Sequence, residues 1–156
     1  MQTRAVPYFA FDRAKEAIAY YERVFGATDS YRLAPQPEQA KLFGLPTDGD
    51  LTTMTMHAGF TVLGVRIECA DAFQGHQEPS GQVAVMLDIN GDDPVSVQAA
   101  DDFYQRLVDS GEVTIDMPFA TQFWGDKMGH ITDKYGISWM LSVSSWQQDL
   151  AQTTGD

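Results

Sequence analysis

Eight residues in the first half of the chain reappear, with substitutions, in the second half. The segment from Ala17 to Val24 (AIAYYERV) lies over the segment from Ala100 to Leu107 (ADDFYQRL) without a gap. The first alanine, the second tyrosine and the arginine match outright. Tyr20/Phe103, Glu22/Gln105 and Val24/Leu107 match in kind. Each copy reads as an amphipathic helix with one aromatic and apolar stripe for a sheet. Amphipathic helices converge on such patterns, so the weight lies in what surrounds each copy: the same order of elements, which points to duplication.

The first half opens on a strand candidate, Thr3–Phe11, with Asp12 as the expected helix N-cap. The helix is expected over Ala14–Phe25, with Gly26 ending it. Strands are expected at Ala27–Leu33, Leu51–Ala58 and Thr61–Cys69, with a proline-rich loop from Ala34 to Gly49. After the loop Ala70–Ser80 the order repeats: strand Gln82–Ile89, helix Val97–Val108 ending near Gly111, then strands Glu112–Pro118, Lys127–Thr132 and Ile137–Val143. The expected organisation is one α+β domain of two βαβββ modules, about 3–69 and 82–143, with a polar tail at 144–156 that frays or forms a loose helix.

Charge narrows the partners. The chain carries 22 acidic and 10 basic residues, a net charge of −12. Phosphate backbones and anionic lipid repel such a surface, so neither nucleic acid nor membrane is an expected partner. No apolar run approaches the ~20 residues of a membrane span, and no charged-then-apolar leader is read at the start, so a cytoplasmic location is expected. Cys69 is the single cysteine; it forms no internal disulfide or CxxC metal knuckle and is expected to be buried.

The run from Phe123 to Leu141 (FWGDKMGHITDKYGISWML) holds a Trp-Gly, a Gly-His pair, an Asp before Tyr-Gly and a closing Trp-Met-Leu strand. Together with Pro7, Tyr8, Phe9 and Phe11, with Ala17, Tyr20, Tyr21, Phe25 and Gly26, and with Met56, His57 and Ala58, it resembles PhnB-like proteins of the vicinal oxygen chelate superfamily, the glyoxalase and bleomycin-resistance fold. The resemblance covers Pro7 to about Ser144. It implies a half-open barrel of two curved mixed sheets with helices outside, a concave ligand cavity and a homodimer.

In metal-using members of that superfamily, four side chains on four strands hold a divalent ion that stabilises a developing oxyanion. Carried over one position at a time, the first falls at Val6 or Pro7, which bind no metal. The second falls at Glu68, which does, and the third at Gln82, which does weakly. The fourth falls at Met140, whose thioether does not suit a hard ion. No metal cofactor is therefore expected; if a divalent ion binds, Glu68 and Gln82 are its ligands.

Glu68 facing a cavity is a candidate general base; facing outward it is a solvated strand residue, which is the expectation. His57 alternates with Thr55 and Thr53 and is either a proton carrier lining the pocket or a strand histidine bonded to a neighbour. Tyr8, His57, Gln82, Phe123, Trp124 and Met140 are the expected pocket lining, the aromatics offering stacking and the methionine a pliable wall. His76 is expected to be solvated, and His130 sits on another strand candidate. There is no P-loop, no GxGxxG and no nucleophile elbow, which counts against a nucleotide-dependent or S-adenosylmethionine-dependent enzyme and against a serine hydrolase. The reading that results is a metal-free protein binding a small molecule in an apolar concave pocket. The alternatives are a metal-dependent lyase, isomerase or dioxygenase acting on a small oxygenated substrate, and a protein that uses its sheets only to pair.

Overall fold

In the computed structural model, which describes residues 1–147, the duplicated element order is realised twice. The first unit runs from Met1 to Glu78 and the second begins at Pro79. The first contains β1 (Tyr8–Phe11), α1 (Ala14–Val24), β2 (Thr28–Leu33), α2 (Pro37–Leu42), a 3-10 turn (Leu51–Thr53), β3 (His57–Val62) and β4 (Val65–Asp71). The second contains β5 (Ala84–Asn90), α3 (Pro94–Ser110), β6 (Thr114–Thr121), β7 (Lys127–Thr132) and β8 (Ser138–Ser144). The sheet orders are β1-β4-β3-β2 and β5-β8-β7-β6. In each, the first and last strands pair in parallel and the other neighbours are antiparallel. The fold class is α+β.

Alternation decides which side chains enter each core. In the first sheet Phe11, Ala58, Phe60, Val62, Ile67 and Cys69 are buried and face α1, where Tyr21 stacks on Phe60 with ring centroids 4.7 Å apart. In the second, α3 packs on β5 and β8, with Leu87, Ile131, Trp139 and Leu141 buried from the sheet. The helix overlay seen in the sequence holds in three dimensions. Ala17 and Ala100, Tyr20 and Phe103, and Val24 and Leu107 are all buried. Truncating any of the larger ones costs about 2–5 kcal/mol.

Several boundaries differ from expectation. The first strand begins at Tyr8 rather than Thr3. The proline-rich loop contains α2, whose start satisfies Pro at a first-turn position and a capping box between Gln36 and Gln39. The strand expected at Leu51–Ala58 begins only at His57, because Asp50 accepts from the Thr52 amide and closes a 3-10 turn. The strand expected at Thr61–Cys69 is a hairpin. Leu63 (φ 46°) and Gly64 (φ 78°) both adopt left-handed backbone, the requirement of a two-residue turn of the I′ kind. His57 therefore does not share a strand with Thr53 and Thr55. Asp12 does not cap α1: Asp71, at the end of β4, accepts from the Ala14 amide at 2.8 Å and from the Thr55 amide at 2.9 Å. Of the polar tail, the nine residues 148–156 lie outside the described residues.

The turn before β8 is closed by a buried carboxylate. Asp133 Oδ1 accepts from the amides of Tyr135 and Ile137 at 2.8 and 3.0 Å, and Oδ2 accepts from Trp139 Nε1 at 2.9 Å. Asp133→Ala leaves these donors unpaired beside a fully buried indole. The expected loss is about 3 kcal/mol, measured as a lowered urea midpoint at unchanged slope. A midpoint within error of the unsubstituted chain would remove this carboxylate from the account.

Candidate functional site

The face of the first sheet opposite α1 gathers polar side chains instead of a core. Register places Tyr8 beside Glu68, Glu68 beside Gly59, and Gly59 beside Tyr31, one row across four strands. His57 lies two residues along β3 from Gly59 and so shares this face. Tyr31 Oη and His57 Nε2 are 2.6 Å apart, a hydrogen bond in which the imidazole tautomer decides which atom donates. Glu68 Oε2 is 3.9 Å from the same Nε2. The His57 and Glu68 side chains are 42% and 31% exposed, so the cluster is partly open to water.

Arg66 completes it. Its guanidinium lies 4.7 Å from the Tyr31 ring centroid, and Nη1 donates to the Asp29 carbonyl at 3.3 Å. Gly59 makes room: a Cβ there would meet the Arg66 guanidinium and come within 2.9 Å of the Ile67 carbonyl oxygen. The positive φ of Asp29 (52°) accompanies a register shift in β2 between Thr28 and Tyr31, and bulges of this kind re-aim side chains beside functional sites. Reading along the chain does not single out Tyr31 or Gly59; only the cross-strand register reveals them.

Electrostatics follow burial and neighbours. The Tyr8 phenol is held above its ordinary value, first by partial burial and then by the nearby Cys69, Glu68 and Tyr31. Burial pushes the Cys69 thiol up to about 12, with Asp71 adding to the effect and Arg66 opposing it. His76 is exposed but paired: Nδ1 lies 2.8 Å from Asp12 Oδ2 and Nε2 3.4 Å from Glu78 Oε1. The bond to Asp12 raises its pKa.

The other expected pocket residues are placed differently. Gln82 precedes β5 and is exposed, its amide donating to Ser80 Oγ at 3.4 Å. Phe123 and Trp124 pack edge to face, centroids 4.8 Å apart, in the β6–β7 turn, 97% and 50% exposed; the turn sets them beyond the strand ends, apart from the sheet face that carries Met140. Met140 lies mid-strand in β8, beside His130 of β7. A cleft of about 220 Å³ opens between α1 and β2, lined by Lys15, Glu22, Ser30 and Arg32 and bordered by Tyr31 of the polar row.

Two sheets of identical strand order, each with a helix packed on one face, make the glyoxalase-type fold, which the solved structures below share. The family model described as 3-demethylubiquinone-9 3-methyltransferase matches residues 3–142, and the chain belongs to that PhnB-like family. It is 29% identical over 148 residues to protein YjdN of Escherichia coli (strain K12), covering 90% of this chain and 95% of that protein. The solved structure of a putative 3-demethylubiquinone-9 3-methyltransferase, the PhnB protein of Bacillus cereus, is 21% identical with TM-score 0.56, covering 91% of this chain and all of that one. The fosfomycin resistance protein FosX of Listeria monocytogenes, complexed with Mn(II) and a sulfate ion, is 14% identical with TM-score 0.56, covering 96% of this chain and 98% of that one.

No group of three or more His, Cys, Asp or Glu among the described residues is placed to hold a metal. Gln82 stands outside the strand, and Met140 offers a thioether where a hard ion needs oxygen.

Cys69 supplies a pH test. A thiol whose folded pKa is raised keeps its proton longer in the folded chain than in the unfolded one. Its contribution is therefore intact below the ordinary value near 9.0 and declines as pH rises toward about 12. The slope is up to about 1.4 kcal/mol per pH unit. Urea unfolding from about pH 9 to about pH 11, inside that window, should show a steeper loss in the unsubstituted chain than in Cys69→Ala. Parallel curves would contradict the assignment.

Proposed function

We propose that the chain is a small-molecule binding protein that works without a divalent ion. Its ligand is small and partly apolar and carries an oxygen group that meets the polar face of the first sheet. The observation that carries this reading is the Tyr31–His57 hydrogen bond with Glu68 beside it. A histidine, two tyrosines, a carboxylate and a stacked guanidinium are held by sheet register, half exposed, on a face that contributes nothing to the α1 core. Rigid strands position such groups better than loops do. The rings of Tyr8 and Tyr31 supply apolar surface beside these polar groups, each an apolar body with a polar tip. The same fold hosts binding and catalysis alike, so the argument rests on these residues rather than on the family's name.

One observation favours a second reading, an enzyme acting on a small oxygenated substrate: Glu68, His57, Tyr31 and Tyr8 form an acid–base set within one row of strands. That reading requires turnover that Glu68→Gln abolishes. The protein acts as a cytoplasmic homodimer, and sedimentation should return twice the chain mass of 17.3 kDa. No helix among the described residues is long and apolar enough to cross a membrane.

The test is a thermal-shift panel of small aromatic and aliphatic carboxylates, phenols and quinones, in chelator. A true ligand raises stability saturably, by about 2.7 kcal/mol at about 100 times its Kd. His57→Ala and Tyr31→Phe should each weaken it by about tenfold, near the value of one charge-assisted hydrogen bond. A panel without a saturable shift, or a shift that both variants leave intact, would overturn the proposal.

A further inference from the structure

The second sheet carries a different chemistry on its corresponding face. Across its four strands, register sets Met86 of β5 beside Met140 of β8, Met140 beside His130 of β7, and His130 beside Met117 of β6. Met128, two residues before His130 on β7, points to the same side. All four methionines of the second unit thus fall on the face opposite α3. His130 Nε2 is buried and has no hydrogen-bond partner among the described residues, which is costly for an imidazole nitrogen unless something else meets it. Asp116, the residue before Met117, is engaged elsewhere and accepts from Thr132 Oγ1 at 2.6 Å.

We propose that this face binds a soft monovalent metal ion, Cu(I), through His130 Nε2 and the sulfurs of Met117 and Met140, with Met86 or Met128 as a further sulfur. Directly opposed residues on neighbouring strands stand about 4.5–5.5 Å apart at Cβ, so Met117 and Met140 flank His130 on either side within reach of flexible thioethers. Neutral sulfur and imidazole donors select Cu(I) over Zn(II), Mn(II) or Mg(II). A register shift in β6 on either side of Met117 sets that side chain on the histidine's face, the re-aiming that bulges provide. Met86 is 53% exposed, which leaves a way in. The ion and its donors differ from the divalent centre of metal-using relatives, although Met140 stands at that centre's fourth ligand position, and binding here does not depend on the ligand proposed for the first sheet. Binding involves no redox step, because copper enters and stays as Cu(I).

The experiment titrates the full chain with Cu(I), anaerobically and under a reductant, against a chromophoric Cu(I) chelator. One equivalent should bind, X-ray absorption should show both sulfur and nitrogen scatterers, and excess Zn(II) or Mn(II) should not displace the ion. Met117→Leu and Met140→Leu conserve volume and should stay folded by circular dichroism; each should weaken binding by at least about tenfold, as should His130→Phe. Failure to bind one equivalent overturns the proposal. So does binding that the Met117→Leu/Met140→Leu double variant retains, or binding lost in Cys69→Ala instead.

Discussion

Each unit has four strands and a single long helix packed against them, and a helix covers only one face of a sheet. That constraint organises the structure. Side chains alternate, so every strand sends one set of residues into the helix-covered core and the other set to the opposite face. In the first unit Phe60, Ile67 and Cys69 take the first role, and Tyr31, His57 and Glu68 take the second. In the second unit Leu87, Ile131, Trp139 and Leu141 go to the core, while Met86, His130 and Met140 do not. Burial and chemistry are thus assigned by the same register, and a slip of one residue would exchange them.

Two carboxylates hold that register at the points where the chain leaves the sheets. Asp71 ties the end of β4 to the start of α1 and to the segment leading into β3. Asp133 ties the turn between β7 and β8 to the indole of Trp139. Both act through backbone amides that would otherwise lack partners, so the helix and the turn stay where the faces need them. Between these anchors the two copies have diverged in chemistry while keeping strand order: one face sets tyrosines, a histidine and paired charges together, the other sets methionines and an imidazole among Asp88, Thr132, Ser138 and Ser142.

Much of the fold was legible in the sequence because duplication repeats its signals. The helix stripes at Ala17 to Val24 and Ala100 to Leu107, and the strand at Lys127–Thr132, stand where the pattern placed them. Misplaced boundaries have local causes. A continuous apolar run hid the Leu63–Gly64 turn, since leucine is a rare occupant of left-handed backbone. A Gln–Gln capping box concealed α2 within what read as a proline loop. Of the site, Glu68 and His57 were visible as polar residues in apolar strands. Tyr31, Arg66 over Gly59 and the row through His130 were not, because cross-strand neighbours are far apart in sequence and only register joins them.

The family's name and the chain's chemistry answer different questions. Membership fixes the order and pairing of strands; what the chain handles depends on the side chains set on the faces opposite the helices. The measurement that tests this most directly is a two-dimensional amide NMR titration with the small molecule that stabilises the protein most. The account predicts saturable shifts centred on Tyr8, Tyr31, His57 and Glu68, with α1 and α2 unmoved. Shifts centred instead on the helices, or on the exposed aromatic turn at Phe123 and Trp124, would contradict it.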